Sequence, residues 1–221
     1  MNRPSITPLQ RTLNIWAVVL IVWSLYRVNF PINDIFDELI AKPLVFIGII
    51  AFYLKKIVKI NISDEIKWHF SLNLADLGVI LMIGLTFFFT AFAGNFAKGS
   101  ELVSESKINY LLSTPGLVAI MLSLATAVSE EFLSVGFVLP KIYDETKNYV
   151  TSVLFSGGLF AVLHIPILVA NLKLDGYTIL ALLFTNFILG SINALLFLDR
   201  KNLLIPILIH FIYNISILLI V

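Results

Sequence analysis

The sequence contains no cysteine and few charged residues. Without cysteine among the 221 residues, disulfide bonds, thiolate catalysis and cysteine-ligated metal sites are excluded. Charged residues make up only 13% of the chain, whereas roughly 25% is usual in soluble domains. So few charges cannot cover the surface of a water-soluble fold of this size. Together with the mean hydropathy of +0.96, this indicates a protein whose solvent is the lipid bilayer.

The net charge is close to zero, at +1. The sequence also lacks a basic cluster interleaved with stacking aromatic residues, which is the pattern typical of proteins that bind nucleic acid. We therefore expect no nucleic-acid partner. Membrane lipid is the expected surrounding of the chain.

Seven apolar stretches approach the length of about 20 residues that a helix needs to cross a bilayer. No small-residue cleavage site follows the first, so we expect a retained anchor. The second is short and contains Pro43, so six to eight spans fit the sequence. No long linker divides the chain. We predict a single integral membrane domain over residues 1–221, folded as an all-α, polytopic transmembrane helix bundle of about seven spans. The stretches are residues 13–30, 39–54, 74–97, 114–143, 149–170, 177–198 and 203–221.

Lysine and arginine residues are distributed unevenly between the predicted loops. Ten lie in the N-terminal segment and in the loops after the second, fourth and sixth spans, including residues 60–73, which we expect to form a helix at the membrane surface. Because cytoplasmic loops are enriched in Lys and Arg, we expect a cytoplasmic N-terminus. The abundance of lysine, asparagine and isoleucine favours a bacterial cytoplasmic membrane. The five basic residues assigned to the opposite side are Arg27, Lys42, Lys98, Lys107 and Lys173.

Two adjacent acidic residues, Glu130 and Glu131, lie inside the fourth predicted span. The other twelve fall in loops, near span ends or in residues 60–73. An ionisable side chain at the bilayer centre costs about 2.5–3.5 kcal/mol even on the most lenient scale, so we interpret the pair as functional. Ser123, Thr126 and Ser134 lie at helical spacing on the same side as Glu130. This spacing predicts that their face points into the bundle.

Two of the three histidines also lie inside predicted spans, His164 in the fifth and His210 in the seventh. Asn214 follows His210 by four residues, so the two side chains share one helix face. Polar residues inside spans also form hydrogen bonds between helices. We give that structural interpretation to Asn186 and Asn193 in the sixth span, and a functional one to His164, His210 and Asn214.

These residues occur in three short motifs in the last half of the chain. The motifs are EEFLSVGF at 130–137, FAVLH at 160–164 and HFIYN at 210–214. In order and spacing they resemble the motifs of the CAAX protease and bacteriocin-processing family, also called CPBP or Abi. That family has a Glu-Glu pair with an Arg four residues after the second Glu, then Phe-x-x-x-His and His-x-x-x-Asn. Three motifs in order, each inside a predicted span, are a stronger signal than any one alone. The resemblance covers residues 117–218.

The resemblance implies an intramembrane endopeptidase that depends on a glutamate and cleaves a peptide or membrane protein near the bilayer. The implied substrate is a CAAX-type protein or the leader of a bacteriocin or pheromone, and a role in self-immunity is also implied. Glu130 and His164 would hold the attacking water, and His210 and Asn214 would donate to the oxyanion. Alternatively, Glu130, His164 and His210 would bind a divalent metal such as Zn²⁺. The sequence leaves this choice and the oligomeric state open. The implied catalytic residues are Glu130, Glu131, His164, His210 and Asn214.

The chain departs from the family motif at Val135, which stands in the position of the Arg. An Arg there would lie one helical turn from Glu131 and could pair with it. Without the Arg, Glu131 needs a proton, another hydrogen-bond donor or another cation. The departure raises the alternative of a non-catalytic membrane binder or immunity protein of the same fold. Because the other motif residues are retained, we favour an enzyme.

Other functions and protease chemistries fit the sequence less well. It has no Gly-x-Ser-x-Gly motif for a serine nucleophile and no His-Glu-x-x-His motif for zinc. It also has no Gly-x-Gly-Asp motif, and Asp144 lies among loop charges. A proton-coupled transporter that uses the Glu pair is disfavoured, because no inverted repeat or pair of broken helices is visible.

Overall fold

The computed structural model describes residues 6–30, 32–66, 71–97, 109, 112–170 and 175–220. In these ranges the chain is helical between its turns and contains no strand, which confirms the predicted all-α bundle. The helices have the following bounds: α1 Pro8–Asn29, α2 residues 34–58, α3 Ile62–Glu65, α4 Leu74–Ala97, α5 Thr114–Thr146, α6 Tyr149–Ala170, α7 Gly176–Arg200 and α8 Leu204–Ile220.

Local side-chain chemistry explains where several helices begin and end. Thr7 and Gln10 form a reciprocal capping box at the start of α1, and the Asp175 carboxylate accepts the backbone N–H of Thr178 at the start of α7. These contacts satisfy backbone donors that the first helical turn leaves free. Lysines in the left-handed conformation end three helices and reverse the chain: Lys59 after α2, Lys147 after α5 and Lys201 after α7.

Among the described residues, four helices are long and apolar enough to cross a membrane, namely Pro8–Asn29, Thr114–Thr146, Tyr149–Pro166 and Gly176–Arg200. Two shorter apolar helices, Leu74–Thr90 and Leu204–Leu218, accompany them. Large apolar side chains such as Ile21, Met82 and Phe184 are exposed on the outer faces of these helices. The chain is therefore an integral membrane protein. That α2, α4 and α8 also span the bilayer, giving seven spans, stays a prediction.

The bundle is arranged around α5. Helices α1 and α2 pack against it on one side, while α8 lies between α5, α4 and α7. Helices α6 and α7 pack together closely because each contributes a glycine to the contact. A Cβ atom at Gly157 would lie 2.9 Å from the Phe187 carbonyl oxygen, and one at Gly190 would lie 2.7 Å from the Phe160 Cβ.

The second helix differs most from the prediction. It covers residues 34–58 instead of 39–54, and Pro43 does not interrupt it because wide π-helical turns lie on both sides, at Asp37–Ala41 and Leu44–Gly48. Assigning Lys42 to the outer side was wrong, because this lysine is buried inside the bundle. Asp37, near the start of the helix, is also buried and pairs with Arg27 at 2.8 Å.

The predictions of a surface helix and of the membrane orientation are tested only in part. The expected surface helix at 60–73 is short, since α3 covers only Ile62–Glu65 and residues 67–70 lie outside the described part of the chain. Five of the basic residues used to predict the orientation also lie outside the described part, namely Arg3, Lys67, Lys98, Lys107 and Lys173. The cytoplasmic position of the N-terminus therefore stays a prediction.

Candidate functional site

Glu130 lies at the centre of a buried polar cluster between α2, α5, α6 and α8. Its side chain is only 7% exposed. The Oε1 atom is 2.7 Å from the ammonium of Lys42, and the Oε2 atom is 3.4 Å from Nε2 of His164 and 3.8 Å from Nε2 of His210. Within the described residues, Oε2 has no hydrogen-bond partner. One carboxylate oxygen is thus held by a cation, and the other faces two imidazole nitrogens.

A backbone contact fixes the orientation of the His164 ring. Its Nδ1 lies 2.9 Å from the carbonyl oxygen of Phe160, one turn earlier on α6. A carbonyl oxygen only accepts, so Nδ1 carries the hydrogen, and in the neutral ring Nε2 is the acceptor. Two acceptors, Nε2 of His164 and Oε2 of Glu130, therefore face each other across 3.4 Å. A water molecule that donates a hydrogen to each would satisfy both.

Glu131 points to a different set of partners, because adjacent residues on a helix diverge by about 100°. Its Oε1 atom accepts a hydrogen bond of 2.8 Å from the amide of Asn193 on α7. The same oxygen lies 2.8 Å from Nδ1 of His210 on α8. The carboxylate, whose side chain is fully buried, thereby directs Nε2 of His210 toward Glu130.

A second acidic residue shares the ammonium of Lys42. Glu38, one turn earlier on α2, places its Oε2 atom 2.8 Å from Lys42 Nζ. That oxygen also accepts a 2.7 Å hydrogen bond from the Thr126 hydroxyl on α5. The rings of Trp23 and Phe46 lie 5.5 Å and 5.9 Å from the same ammonium. The cation is thus enclosed by two carboxylates and two aromatic rings.

The position of the missing motif Arg is occupied by a packed apolar side chain. Val135 is 1% exposed and belongs to the main hydrophobic core. It lies within π-helical turns that span Phe132–Val138, directly after the glutamate pair. The Oε2 atom of Glu131 has no hydrogen-bond partner among the described residues. Of the three alternatives for Glu131, the structure therefore supplies other hydrogen-bonding partners, namely Asn193 and His210, while the buried cation pairs with Glu130.

Asn214 is less directly placed than the other predicted site residues. Its amide donates to the backbone carbonyl of Ser123 over 3.3 Å, which is long for such a bond. Ser123 lies on the inward face of α5, two turns before Glu130, and is buried together with Ser134. The structure therefore brings Glu130, Glu131, His164 and His210 into direct contact. Asn214, on α8, instead contacts the backbone of α5 at Ser123. The catalytic roles of these five residues stay a prediction.

Glu130, His164 and His210 are the residues that the alternative Zn²⁺ site would use. In the part of the chain that the structure describes, no three His, Asp or Glu side chains are arranged to hold a metal ion. Lys42 moreover adds a positive charge 2.7 Å from the Glu130 carboxylate, which opposes the binding of a second cation there. The residues fit the alternative Zn²⁺ site poorly, and we assign no catalytic step to a metal.

Sequence reasoning missed three residues that complete this cluster. Lys42 and Glu38 were assigned to a span end, although their i, i+4 spacing on a helix was a signal for an ion pair. The sequence predicts for Asn193 only a hydrogen bond between helices. Its contact with Glu131 depends on how α6, α7 and α8 are arranged, and no local sequence pattern indicates it. Asn186 is buried, which agrees with the packing role given to it.

One family of known proteins is similar to the part of the chain that carries most of this site. The family model described as "Type II CAAX prenyl endopeptidase Rce1-like" matches residues 112–216. No curated protein and no solved structure matches the chain. The match includes all three motifs, with Glu130, Glu131, His164, His210 and Asn214, and leaves out α1, α2, α3 and α4. It confirms the resemblance to the CPBP family and supports an intramembrane endopeptidase at the level of the family. Over residues 112–216, slightly less than half of its length, this integral membrane chain is similar to the Rce1-like family of type II CAAX prenyl endopeptidases.

Proposed function

We propose that this protein is an intramembrane endopeptidase in which Glu130 activates a water molecule. The observation that carries the proposal is the unsatisfied Oε2 atom of Glu130, which faces the Nε2 atoms of His164 and His210 at 3.4 Å and 3.8 Å. A buried carboxylate oxygen without a donor, opposite a second acceptor, is suited to hold a water molecule through both of its hydrogens. The oxygen lone pairs of that water then face away from the carboxylate.

The first step is attack of this water on the carbonyl carbon of the scissile peptide bond. Glu130 Oε2 takes one proton as the new C–O bond forms, and Nε2 of His164 holds the other hydrogen. The tetrahedral intermediate carries its negative charge on the former carbonyl oxygen. Glu130 then returns the proton to the leaving nitrogen as the C–N bond breaks, which leaves an amine and a carboxylic acid. The acid gives its remaining hydrogen, which Nε2 of His164 holds, to the amine through that ring and becomes a carboxylate. A carboxylate serves as base and then as acid in the same way in other hydrolases.

The oxyanion would receive hydrogen bonds from α8. The imidazolium form of His210 donates through Nε2, and Glu131 stabilises that form by accepting from Nδ1 at 2.8 Å. The amide of Asn214 has two hydrogens, and only one of them is used by the Ser123 carbonyl. One such donor typically contributes about 10²–10³ in rate.

The substrate is proposed to be a peptide or membrane protein cleaved close to the bilayer. The site lies among helices with lipid-facing apolar exteriors, so a substrate held at the membrane by a lipid or an apolar segment reaches it most directly. CAAX-type proteins and the leaders of bacteriocins or pheromones belong to this class, and a role in self-immunity is included in the proposal. We further propose a bacterial cytoplasmic membrane with the N-terminus in the cytoplasm.

A second candidate function is that of a non-catalytic membrane binder or immunity protein. Two observations favour it: Val135 replaces the motif Arg, and the Lys42 ammonium is already paired with Glu130 at 2.7 Å. A carboxylate held firmly in an ion pair is a weaker base than a free one. The enzyme is favoured because only Oε1 is used by the lysine, whereas Oε2 remains available.

Cleavage of defined peptides by the purified protein in lipid nanodiscs tests the proposal. The substrates are an internally quenched peptide with a farnesylated CAAX terminus, the same peptide without the farnesyl group, and an apolar leader-type peptide. Glu130→Gln keeps the shape of the side chain but cannot act as a base. We expect it to abolish cleavage. The matched control is Ser129→Ala, which changes the preceding, fully buried residue and should keep most of the activity.

Two outcomes would overturn the enzyme. If the wild-type protein cleaves none of the three peptides and Glu130→Gln keeps the cellular phenotype, the protein acts by binding. If Glu130→Gln cleaves as fast as wild type, Glu130 is not the base. Metal analysis of the purified protein and incubation with a chelator test the Zn²⁺ alternative. We expect no stoichiometric metal and no loss of activity.

A further inference from the structure

The Lys42 ammonium contacts the proposed base but comes from a part of the chain that the family match does not include. Lys42 lies on α2, whereas the match begins at residue 112. Its side chain is 6% exposed and reaches Glu130 Oε1 at 2.7 Å. None of the three sequence motifs predicts a lysine here. A buried cation at this distance from a proposed catalytic carboxylate needs a physical explanation, because burying any ammonium costs several kcal/mol.

The surroundings of Lys42 hold its ammonium in one place. Glu38 accepts from it at 2.8 Å on the same helix, and Thr126 on α5 holds Glu38 in turn at 2.7 Å. Trp23 from α1 and Phe46 from α2 place their rings within 6 Å of the nitrogen. An ammonium has three donors, and these partners account for the directions in which they point. The lysine therefore does not need to move to neutralise Glu130.

This fixed cation determines how Glu130 is oriented. Because Oε1 is held by Lys42, the carboxylate plane is fixed and Oε2 is directed at the two histidines. Without the lysine, Nε2 of His164 or His210 could pair with either oxygen, and the site for the water would be lost. The cation also offsets the charge of a glutamate pair that has no basic residue next to it on α5, where Val135 is packed in the core.

We propose that Lys42 is a positioning residue for the Glu130 base: its ammonium holds Oε1 so that Oε2 presents the attacking water between His164 and His210. This inference rests on the proposed endopeptidase function. It assigns a role in the reaction to α2, which would otherwise be regarded as structural. It also implies that residues 112–216 alone do not form a complete site.

Three variants separate positioning from stability. Lys42→Met removes the ammonium and leaves the buried carboxylate of Glu130 and the partly buried one of Glu38 without it, so the variant risks unfolding. The double variant Lys42→Met/Glu38→Gln removes the lysine together with one carboxylate, so the net charge of Glu38, Lys42 and Glu130 stays the same as in wild type. Lys42→Arg keeps a cation at the position. Each variant is assayed on the farnesylated quenched peptide in nanodiscs, with thermal unfolding measured on the same samples.

If Lys42 positions Glu130, the double variant should be more thermally stable than Lys42→Met. Its kcat should still be about 100-fold below that of wild type with an unchanged KM, because a misplaced catalytic group causes a loss of this size. Lys42→Arg should restore much of kcat. The inference is overturned if the double variant is as active as wild type while Glu130→Gln is inactive, because the base then works without Lys42. If wild type itself cleaves nothing, the proposed function has failed, and the role of Lys42 in it fails as well.

Discussion

At the scale of single residues, the two adjacent glutamates have different partners, and we propose different roles for them. Glu130 pairs with a lysine on one oxygen and leaves the other toward the histidines. Glu131 is fully buried and accepts from Asn193 and His210. The first has an oxygen that is free of donors and faces two histidine nitrogens, which suits the proposed base. The second supports the ring of His210, as the carboxylate behind a histidine does in hydrolytic triads.

Asn193 is predicted to act through Glu131. Asn193→Ala removes a donor to a fully buried carboxylate, a contact worth about 1.5–3 kcal/mol. We expect kcat to fall by about 10–100-fold, because His210 loses its fixed partner. Asn186→Ala is the matched control, since Asn186 is buried on the same helix and forms no contact with the glutamates in the described structure. Steady-state cleavage of the farnesylated peptide by both variants checks this. Equal effects of the two substitutions would contradict a specific role for Asn193.

Asn214 is predicted to contribute one oxyanion donor without being essential. Within the described structure its amide is held by one long contact, 3.3 Å to the Ser123 carbonyl, so it can turn toward a developing charge. Asn214→Ala should lower kcat by about 10²–10³ and leave a measurable residual rate. His210→Ala should be more severe, since it also removes the partner of Glu131. A fully active Asn214→Ala variant would exclude the amide from the oxyanion site.

The sequence predicts a site residue only where a polar or charged side chain interrupts an apolar stretch, because such a side chain is costly to bury in a membrane. Glu130, His164 and His210 stand out because polar groups interrupt apolar runs, and the structure brings them together. Lys42 did not stand out, because it lies near the start of a helix whose early residues include other charges. Asn193 did not stand out either, because an asparagine inside a span is common and its partner is 62 positions away in the chain.

At the scale of elements, the close packing of α6 and α7 positions two site residues at once. Gly157 allows α6 to approach Phe187 and Ser191 on α7, and Gly190 allows α7 to approach Phe160 on α6. Phe160 supplies the carbonyl that orients His164. Its ring also packs against the rings of His164 and His210, with centroids 4.9 Å and 5.5 Å apart. A small separation of these helices would therefore disturb the site.

Gly157→Ala is predicted to destabilise the protein and reduce its activity. The added methyl group would meet the Phe187 carbonyl oxygen, which is backbone and cannot move aside, at 2.9 Å. Overpacking of this kind costs about 1–3 kcal/mol. Gly158→Ala is the control on the neighbouring residue, where a Cβ meets nothing within 4 Å, and it should be neutral or stabilising. Thermal unfolding in detergent checks both variants. An equal melting temperature for the two would show that α6 and α7 are less tightly packed than described.

At the scale of the whole molecule, residues from three chain reversals gather at one end of the bundle. Lys141 pairs with Glu65 at the end of α3, and the ammonium of Lys201 lies 5.5 Å from the Tyr143 ring centroid. These contacts place the ends of α2, α5 and α7 on the same side. Each of those helices ends in a lysine in the left-handed conformation. A concentration of basic residues at one end is typical of the cytoplasmic face.

Reporter fusions are predicted to place this end in the cytoplasm. A fusion after Lys59 and one after Lys147 should both give the cytoplasmic signal, because both lysines lie at the basic end. A fusion after Asn29, at the end of α1, is the control and should report the opposite side. A cytoplasmic signal from all three, or an external signal from Lys59 or Lys147, would contradict the proposed orientation.

The overall fold could be predicted from the sequence further than the site could. Apolar stretches of near-spanning length define the helices, so all seven predicted stretches coincide with helices. The second was underestimated because Asp34, Asp37 and Glu38 appeared to belong to a loop. Asp37 and Glu38 lie in a helix with their charges paired, Asp37 with Arg27 and Glu38 with Lys42. The first pair joins α1 to α2, which is a tertiary effect that composition and periodicity do not report.

The most direct test of water activation by Glu130 is a single-turnover cleavage of the farnesylated peptide in H₂¹⁸O, followed by mass spectrometry of the products. The protein is used in excess in lipid nanodiscs, so each molecule reacts at most once. The account predicts that the newly formed carboxylate carries one ¹⁸O from the solvent and that Glu130→Gln yields no product. A product that carries only ¹⁶O would indicate a covalent intermediate on an enzyme carboxylate, and normal turnover by Glu130→Gln would show that another group activates the water. Either result would contradict the account.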